Sequence, residues 1–317
     1  MANKSSKSAY KTRHSRGRIA YKVILPVILI SLALFLSVNI FNFNDKDSPD
    51  KKEMLQLWAA GAFEQIYSLS SEQLIQKPLD YFLLTINGFS AYQLAIAQIN
   101  NFSMLSYIDN CIWSLRKALL FREGPTDGRL LYVLGKAYYY KGTGYNDLAI
   151  RYLEKAVKAG YAERDIPEYL GMAYINIRDY RNSVAAFTRA LNTPGPDGKF
   201  SPSDTLLLSI AGSYIALGED DSAYAYLLQC LEVSRDSKMI FAARLTLGDI
   251  LLRRGDLDGA EEQYAKVIAE SGGNAEAYFR LGELFNRRGE TVRARAEWRR
   301  AVQTDPVHMG ARARLNM

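Results

Sequence analysis

YFRLGELFNRRGETVRARAEWRRAVQTDP, residues 278–306, decides the fold. Leu281-Gly282 is followed three residues on by Phe285, Gly289 interrupts the pattern, and Ala294, Trp298 and Ala301 then form a small-large-small series that ends before Pro306. Steps of three and four keep side chains on one face of a helix, so the segment predicts two amphipathic helices joined by a tight turn at Gly289. The small residues mark where two helices cross closely, and the large ones fill the space beside them.

Working outward, both patterns recur. Apolar-small pairs stand at Leu134-Gly135, Leu170-Gly171, Ile210-Ala211, Leu247-Gly248 and Leu281-Gly282, in steps of 36, 40, 37 and 34 residues. Three residues beyond each small one comes Tyr138, Tyr174, Tyr214, Leu251 or Phe285. The second series follows as Ala149/Leu153/Ala156, Ser183/Phe187/Ala190, Ala223/Leu227/Cys230, Ala260/Tyr264/Val267 and Ala294/Trp298/Ala301. It begins twelve residues after the small residue in the last four units and fourteen in the first, where Gly142-Thr143-Gly144 lengthens the turn. The Pro/Gly-rich stretch from Thr193 to Pro202 accounts for the longest step and reads as an exposed loop. A recurring period of this length predicts an array in which each helix pair stacks on the next.

These residues resemble the tetratricopeptide repeat family, whose helix–turn–helix unit carries this Leu-Gly, Tyr, Ala, Phe and Pro pattern. The resemblance covers five units over residues 129–308, followed by a short C-terminal cap at 309–317. It implies an all-α, right-handed superhelical solenoid of helix-turn-helix repeats. A half unit is visible from Gly61-Ala62-Phe63 to Pro78, so the array starts near Lys52. Residues 52–128 read as a divergent, repeat-like N-terminal part, in which Cys111/Leu115/Ala118 marks a second helix and the helix from Tyr81 is too long for the family pattern.

The N-terminus reads differently. Residues 23–41, VILPVILISLALFLSVNIF, hold no charge and as a helix cover roughly 28 Å, enough for one transmembrane helix. No small-x-small cleavage site follows, so the segment is expected to remain as a signal anchor. Seven basic residues and no acid occupy the tail 1–22, whereas the linker 42–51 mixes both signs. The positive-inside rule then puts the tail in the cytoplasm and the repeats across the membrane, in a periplasmic space if the source is bacterial. The resemblance is thus to an N-terminally membrane-anchored, bacterial type of repeat protein.

The tail also explains the net charge of +6: beyond Lys22, 33 Lys and Arg face 34 acids, which removes the case for nucleic-acid binding. Two cysteines without CxxC spacing, Cys111 and Cys230, read as buried small hydrophobes, and two histidines are too few for most metal sites. No phosphate-binding loop, GxSxG, HExxH or dinucleotide fingerprint is present, so the expectation is no enzyme, no catalytic residue, no cofactor, no metal and no small-molecule substrate.

The resemblance implies a concave groove lined by the first helices. Transferred unit by unit, its groove positions are Tyr132, Lys136 and Tyr139; Glu168, Met172 and Ile175; Leu208, Gly212 and Ile215; Leu245, Asp249 and Leu252; Phe279, Glu283 and Asn286. Mostly apolar or aromatic, they suit a partner protein's amphipathic helix or extended peptide. Coverage by the chain's own loop or next helix is the alternative. A clamp for acidic tails is not transferred, because Glu168, Asp249 and Glu283 oppose Lys136 and Asn286. The expected function is a membrane-tethered scaffold or adaptor binding a protein partner in envelope assembly, secretion or quality control. A structural subunit of a larger membrane complex with its groove permanently filled, and a cytoplasm-facing receptor, stay open. Nine Arg against four acids from Arg280 onward make either a basic docking end or the solvated face of a capping helix.

Overall fold

The computed structural model describes residues 49–122, 126–194, 198 and 202–316. The predicted transmembrane segment 23–41, the tail and residues 42–48 of the linker lie outside the described residues. Among those described, no helix is long and apolar enough to cross a membrane. They form fifteen α-helices and one 3-10 turn, with no strand, in two compact units that divide between Lys141 and Gly142.

The N-terminal unit contains α1 (Pro49–Ala59), α2 (Phe63–Gln76), α3 (Tyr81–Ile96), α4 (Asn101–Phe121) and α5 (Gly128–Lys141), each packed on the next. Helix α3 lies at its centre: every residue from Phe82 to Gln93 is buried. The sequence permits this, since no charged residue occurs between Tyr81 and Ile108, and a helix apolar all round must be surrounded. The buried amide of Asn87 is satisfied, with Nδ2 donating to Ser70 Oγ at 3.0 Å and Ser71 Oγ at 2.9 Å while Oδ1 accepts from Ser114 Oγ at 2.8 Å.

The C-terminal unit opens with the 3-10 turn Thr143–Tyr145 and α6 (Asn146–Lys158). Four hairpins follow: α7 (Ile166–Asn176) with α8 (Tyr180–Leu191), α9 (Asp204–Ala216) with α10 (Asp220–Val233), α11 (Ser237–Arg254) with α12 (Leu257–Ser271), and α13 (Ala275–Arg287) with α14 (Thr291–Thr304). Helix α15 (Met309–Leu315) packs on α14. The first helices of successive hairpins lie side by side, α7 against α9 and α9 against α11. One continuous buried cluster runs from Leu207 to Ala311, and Phe187, Ala190, Leu206 and Ile210 form a smaller one before it.

Three of the four hairpins close on a glycine under a large side chain, and the α9–α10 hairpin has Ala211 at that place. A Cβ added to Gly171, Gly248 or Gly282 would lie 2.4 Å from the ring of Phe187, Tyr264 or Trp298, always sixteen residues further on. In the divergent N-terminal unit the same crossing recurs, Gly88 against Leu115 at 2.5 Å, but 27 residues apart. The eleven additional residues amount to about three helical turns, which returns both side chains to the same face. Helices α3 and α4 are therefore this hairpin drawn out, and the lengthening hides them from a period search.

The turn position seven residues beyond the small residue is left-handed in all four hairpins: Gly218 at φ 77°, Gly255 at 84°, Gly289 at 81°, and Arg178 at 62°. Arg178→Gly removes the Cβ strain there and is expected to raise stability by about 1 kcal/mol in urea unfolding, and an unchanged midpoint would refute the strain. Gly248→Val drives methyls into the Tyr264 ring, which is fully buried and fixed by its hydroxyl at 2.8 Å from Asp249. The expected loss is about 3 kcal/mol with an unaltered denaturant slope.

Candidate partner-binding surface

The surroundings of the predicted groove positions differ from hairpin to hairpin. On α5, Lys136 is buried despite its charge. Its Nζ donates to the Tyr132 hydroxyl at 2.9 Å and lies 4.9 Å from the Tyr132 ring centre and 5.8 Å from that of Tyr92. Two aromatic faces and a hydroxyl thus replace the water an ammonium would keep. Tyr139 meets Tyr140 edge-on at 5.6 Å, and burial raises its hydroxyl pKa.

On α7, Met172 and Ile175 are half-buried against the Phe187 cluster, and Glu168 is exposed. On α9, Leu208 and Ile215 rest on the main core with part of their surface in solvent. Between them a Cβ on Gly212 would meet nothing within 4 Å, which leaves an open dip in the α9 face. On α11, Leu252 is half-buried while Leu245 belongs to the core. Asp249 accepts from the Tyr264 hydroxyl and pairs with Arg280, each at 2.8 Å; burial pushes its carboxyl up and Arg280 opposes this.

The last hairpin is covered by the chain itself. Phe279 faces the His308 ring at 5.0 Å, and a Cβ on Gly310 would lie 2.9 Å from its Cζ. Glu283 accepts two hydrogen bonds from Arg314 of α15, at 2.8 and 2.5 Å. Asn286 remains exposed. His308 holds α15 in place: its Nδ1 accepts from the Ala311 N–H at 3.1 Å as the helix cap. That leaves the ring proton on Nε2, which stands 3.1 Å from Glu276 and donates to it. Sequence reasoning places a cap at 309–317, yet nothing in the repeat pattern puts Phe279 and Glu283 beneath it.

The C-terminal arginines are largely engaged internally. Arg253 and Arg254, ending α11, reach back to Asp220 at 2.7 Å and Asp221 at 2.5 Å at the start of α10. One hairpin later, Arg287 donates to the Leu252 carbonyl at 2.7 Å, and Arg288 pairs with Asp258 at 2.5 Å and with Glu261. Arg293 joins Glu290 at 2.5 Å and lies 3.8 Å from the Phe285 ring centre. Acids in the first turn of a helix favour its dipole, so this ladder fastens one hairpin to the next, while Arg295 and Arg299 on α14 stay exposed. Cys111 and Cys230 are fully buried free thiols, and burial pushes both pKa values up. Among the described residues no group of three His, Cys, Asp or Glu could hold a metal ion.

Glycine-centred hairpins with side-by-side first helices point to one kind of repeat. A family model described as Tetratricopeptide repeat matches residues 245–308, and a second of the same description matches 129–159 and 205–237. These segments are tetratricopeptide repeats. The chain is similar to the BBSome complex member BBS4 homolog of Drosophila melanogaster, at 24% identity over 207 residues, which cover 62% of this chain and 40% of that protein. It therefore spans about two fifths of that relative's length. Among solved structures, the C-terminal part of a TPR repeat-containing protein from Cytophaga hutchinsonii superposes with a TM-score of 0.61 at 15% identity, covering 84% of this chain and 99% of that one. That likeness is one of fold.

The α13–α15 contact carries a pH dependence. Burial raises the pKa of Glu276, but hydrogen bonds from Arg280 and His308 outweigh it and hold the carboxyl below its usual range. A carboxylate with a depressed folded value stabilises above its unfolded pKa and stops doing so as pH falls through the folded one. Glu276→Gln is expected to cost no more than about 1 kcal/mol at neutral pH, since the side chain is nearly half exposed, and the difference should close below about pH 4. Parallel urea titrations across that range check it, and a gap that persists in acid would contradict it.

Proposed function

We propose that the chain is a membrane-tethered scaffold whose repeats hold a partner's helix or extended peptide across the first helices α7, α9 and α11. Tetratricopeptide repeats bind protein partners and are typically scaffolds, not enzymes. The observation that carries the reading is the half-buried apolar row of Met172, Ile175, Leu208, Ile215 and Leu252, with the dip over Gly212 in its middle. Apolar anchors flanking an open glycine position suit a side chain delivered from a partner helix. The Lys136–Tyr132 contact on α5 and the α15 cover on α13 confine this seat to three of the five units expected from the repeats.

The tether is residues 23–41, with the tail cytoplasmic and the repeats across the membrane, following a right-handed superhelical course. The reading is supported by the uncharged run and the seven basic residues before it. Anchoring raises the concentration of the seat at the bilayer, so modest affinity suffices for recruiting a partner in envelope assembly, secretion or quality control. A photoreactive residue replacing Ile175, Leu208 or Leu252 in the full chain is expected to capture one recurring partner in cells from all three positions. Gly212→Arg should abolish that capture without loss of stability, because its side chain enters open space at an exposed helix position and arginine is favoured over glycine in a helix by about 0.5–1 kcal/mol. Capture of the chain's own residues alone, or capture unaffected by Gly212→Arg, would overturn the seat. A second reading, a permanent subunit of a larger assembly, is supported by the relative named for membership of a complex. On native gels it would leave no free chain.

A further inference from the structure

We propose that one end of the N-terminal unit is a lipid-facing surface that seats the protein on an anionic bilayer beside its tether; this rests on residues 23–41 being that tether. Ile75, Leu79, Trp113 and Leu120 are 76, 46, 56 and 78% exposed. They are neighbours. Ile75 and Trp113 rim a cleft of about 250 Å³. Lys117 Nζ lies 4.0 Å from the Trp113 ring centre and 3.4 Å from the Pro78 carbonyl, next to Leu79. Leu120 follows Lys117 by three residues on the same face of α4, and Lys77 completes the patch.

Large apolar side chains gathered at a surface mark something that covers them. Here they are interspersed with ammonium groups and a tryptophan, the composition that suits the boundary between headgroups and acyl chains. Apolar groups enter the acyl edge, lysines meet phosphates, and indole sits between. Of the nearby acids, Asp80 accepts from the Leu83 N–H at 2.9 Å as the α3 cap and Asp127 is bound to Arg129 at 2.9 Å, while Glu72, exposed one turn before Ile75, stands opposite the two lysines in charge.

The course of the chain selects lipid over a protein as the occupant. Helix α1 starts at Pro49, and Lys51 lies 5.4 Å from the ring centre of Phe82 at the start of α3. The polypeptide therefore enters this unit at the end that carries Leu79. Residues 42–48 reach at most about 25 Å when fully extended, so a span ending at Phe41 keeps this end close to the bilayer.

The test uses the full chain reconstituted in vesicles of phosphatidylcholine with phosphatidylglycerol. An environment-sensitive fluorophore is placed on a cysteine introduced at Ile75, Leu120 or, at the opposite end of the α3–α4 hairpin, Ile99, which is selective because both native cysteines are fully buried. Spin-labelled lipid is expected to quench the label at 75 and 120 severalfold more than at 99. The double substitution Lys77→Glu with Lys117→Glu, and separately the milder Lys77→Gln, should reduce that quenching, as should vesicles without the anionic lipid. Equal quenching at all three positions in vesicles that retain the protein would overturn the surface. An alkaline carbonate wash tests the tether separately: protein stripped by the wash but quenched at 75 and 120 beforehand would overturn the tether and leave the surface standing.

Discussion

The contact on which this architecture depends is a glycine in one helix pressed beneath a large side chain of the next. With no Cβ at Gly171, Gly248 or Gly282, the backbones approach until the rings of Phe187, Tyr264 and Trp298 lie where that carbon would be. The rings then fill the space between hairpins as well as within them, since each is fully buried or nearly so. Close packing of this kind tolerates few substitutions, because interiors have little free volume to absorb an added methyl. Within the C-terminal unit the core is consequently continuous from Leu207 to Ala311, and the smaller Phe187 cluster precedes it.

Electrostatics sets the register of those hairpins more than their stability. Arginines closing one first helix meet acids opening the preceding second helix, a pairing repeated at Arg253–Asp220 and Arg288–Asp258. Exposed pairs contribute little individually, yet the repeated geometry penalises a slipped stack, in which like charges would meet. At the C-terminus α15 packs over α13 through His308, Gly310 and Arg314.

A consequence is that positions equivalent in the repeat are unequal in use. Lys136 lies among tyrosines, Asp249 and Glu283 are paired within the chain, and Phe279 is beneath α15. The accessible apolar positions collect on α7, α9 and α11, around the one first helix whose middle residue is a glycine facing open space. Partner selection under the proposed function therefore depends on shape and apolar contact at that dip, with Glu168 the nearby charge left to bias it.

Much of the fold was legible in the sequence because its determinants are local. Small and large residues at fixed spacing decide which faces of adjacent helices cross, and a turn glycine decides where the chain reverses. Both act within some sixteen residues, as with Gly171 and Phe187. The uncharged run from Tyr81 to Ile108 likewise shows a helix that must be enclosed. The α3–α4 hairpin was legible only as helix, because its crossing at Gly88 and Leu115 keeps its phase over three more turns and so breaks the period. Which of the expected groove positions stay open was not legible. Whether a first-helix side chain faces solvent depends on α15 lying over α13, on Tyr92 reaching Lys136, and on Arg280 meeting Asp249. These contacts are made between segments whose relative placement no residue spacing records, so tertiary packing alone decides them.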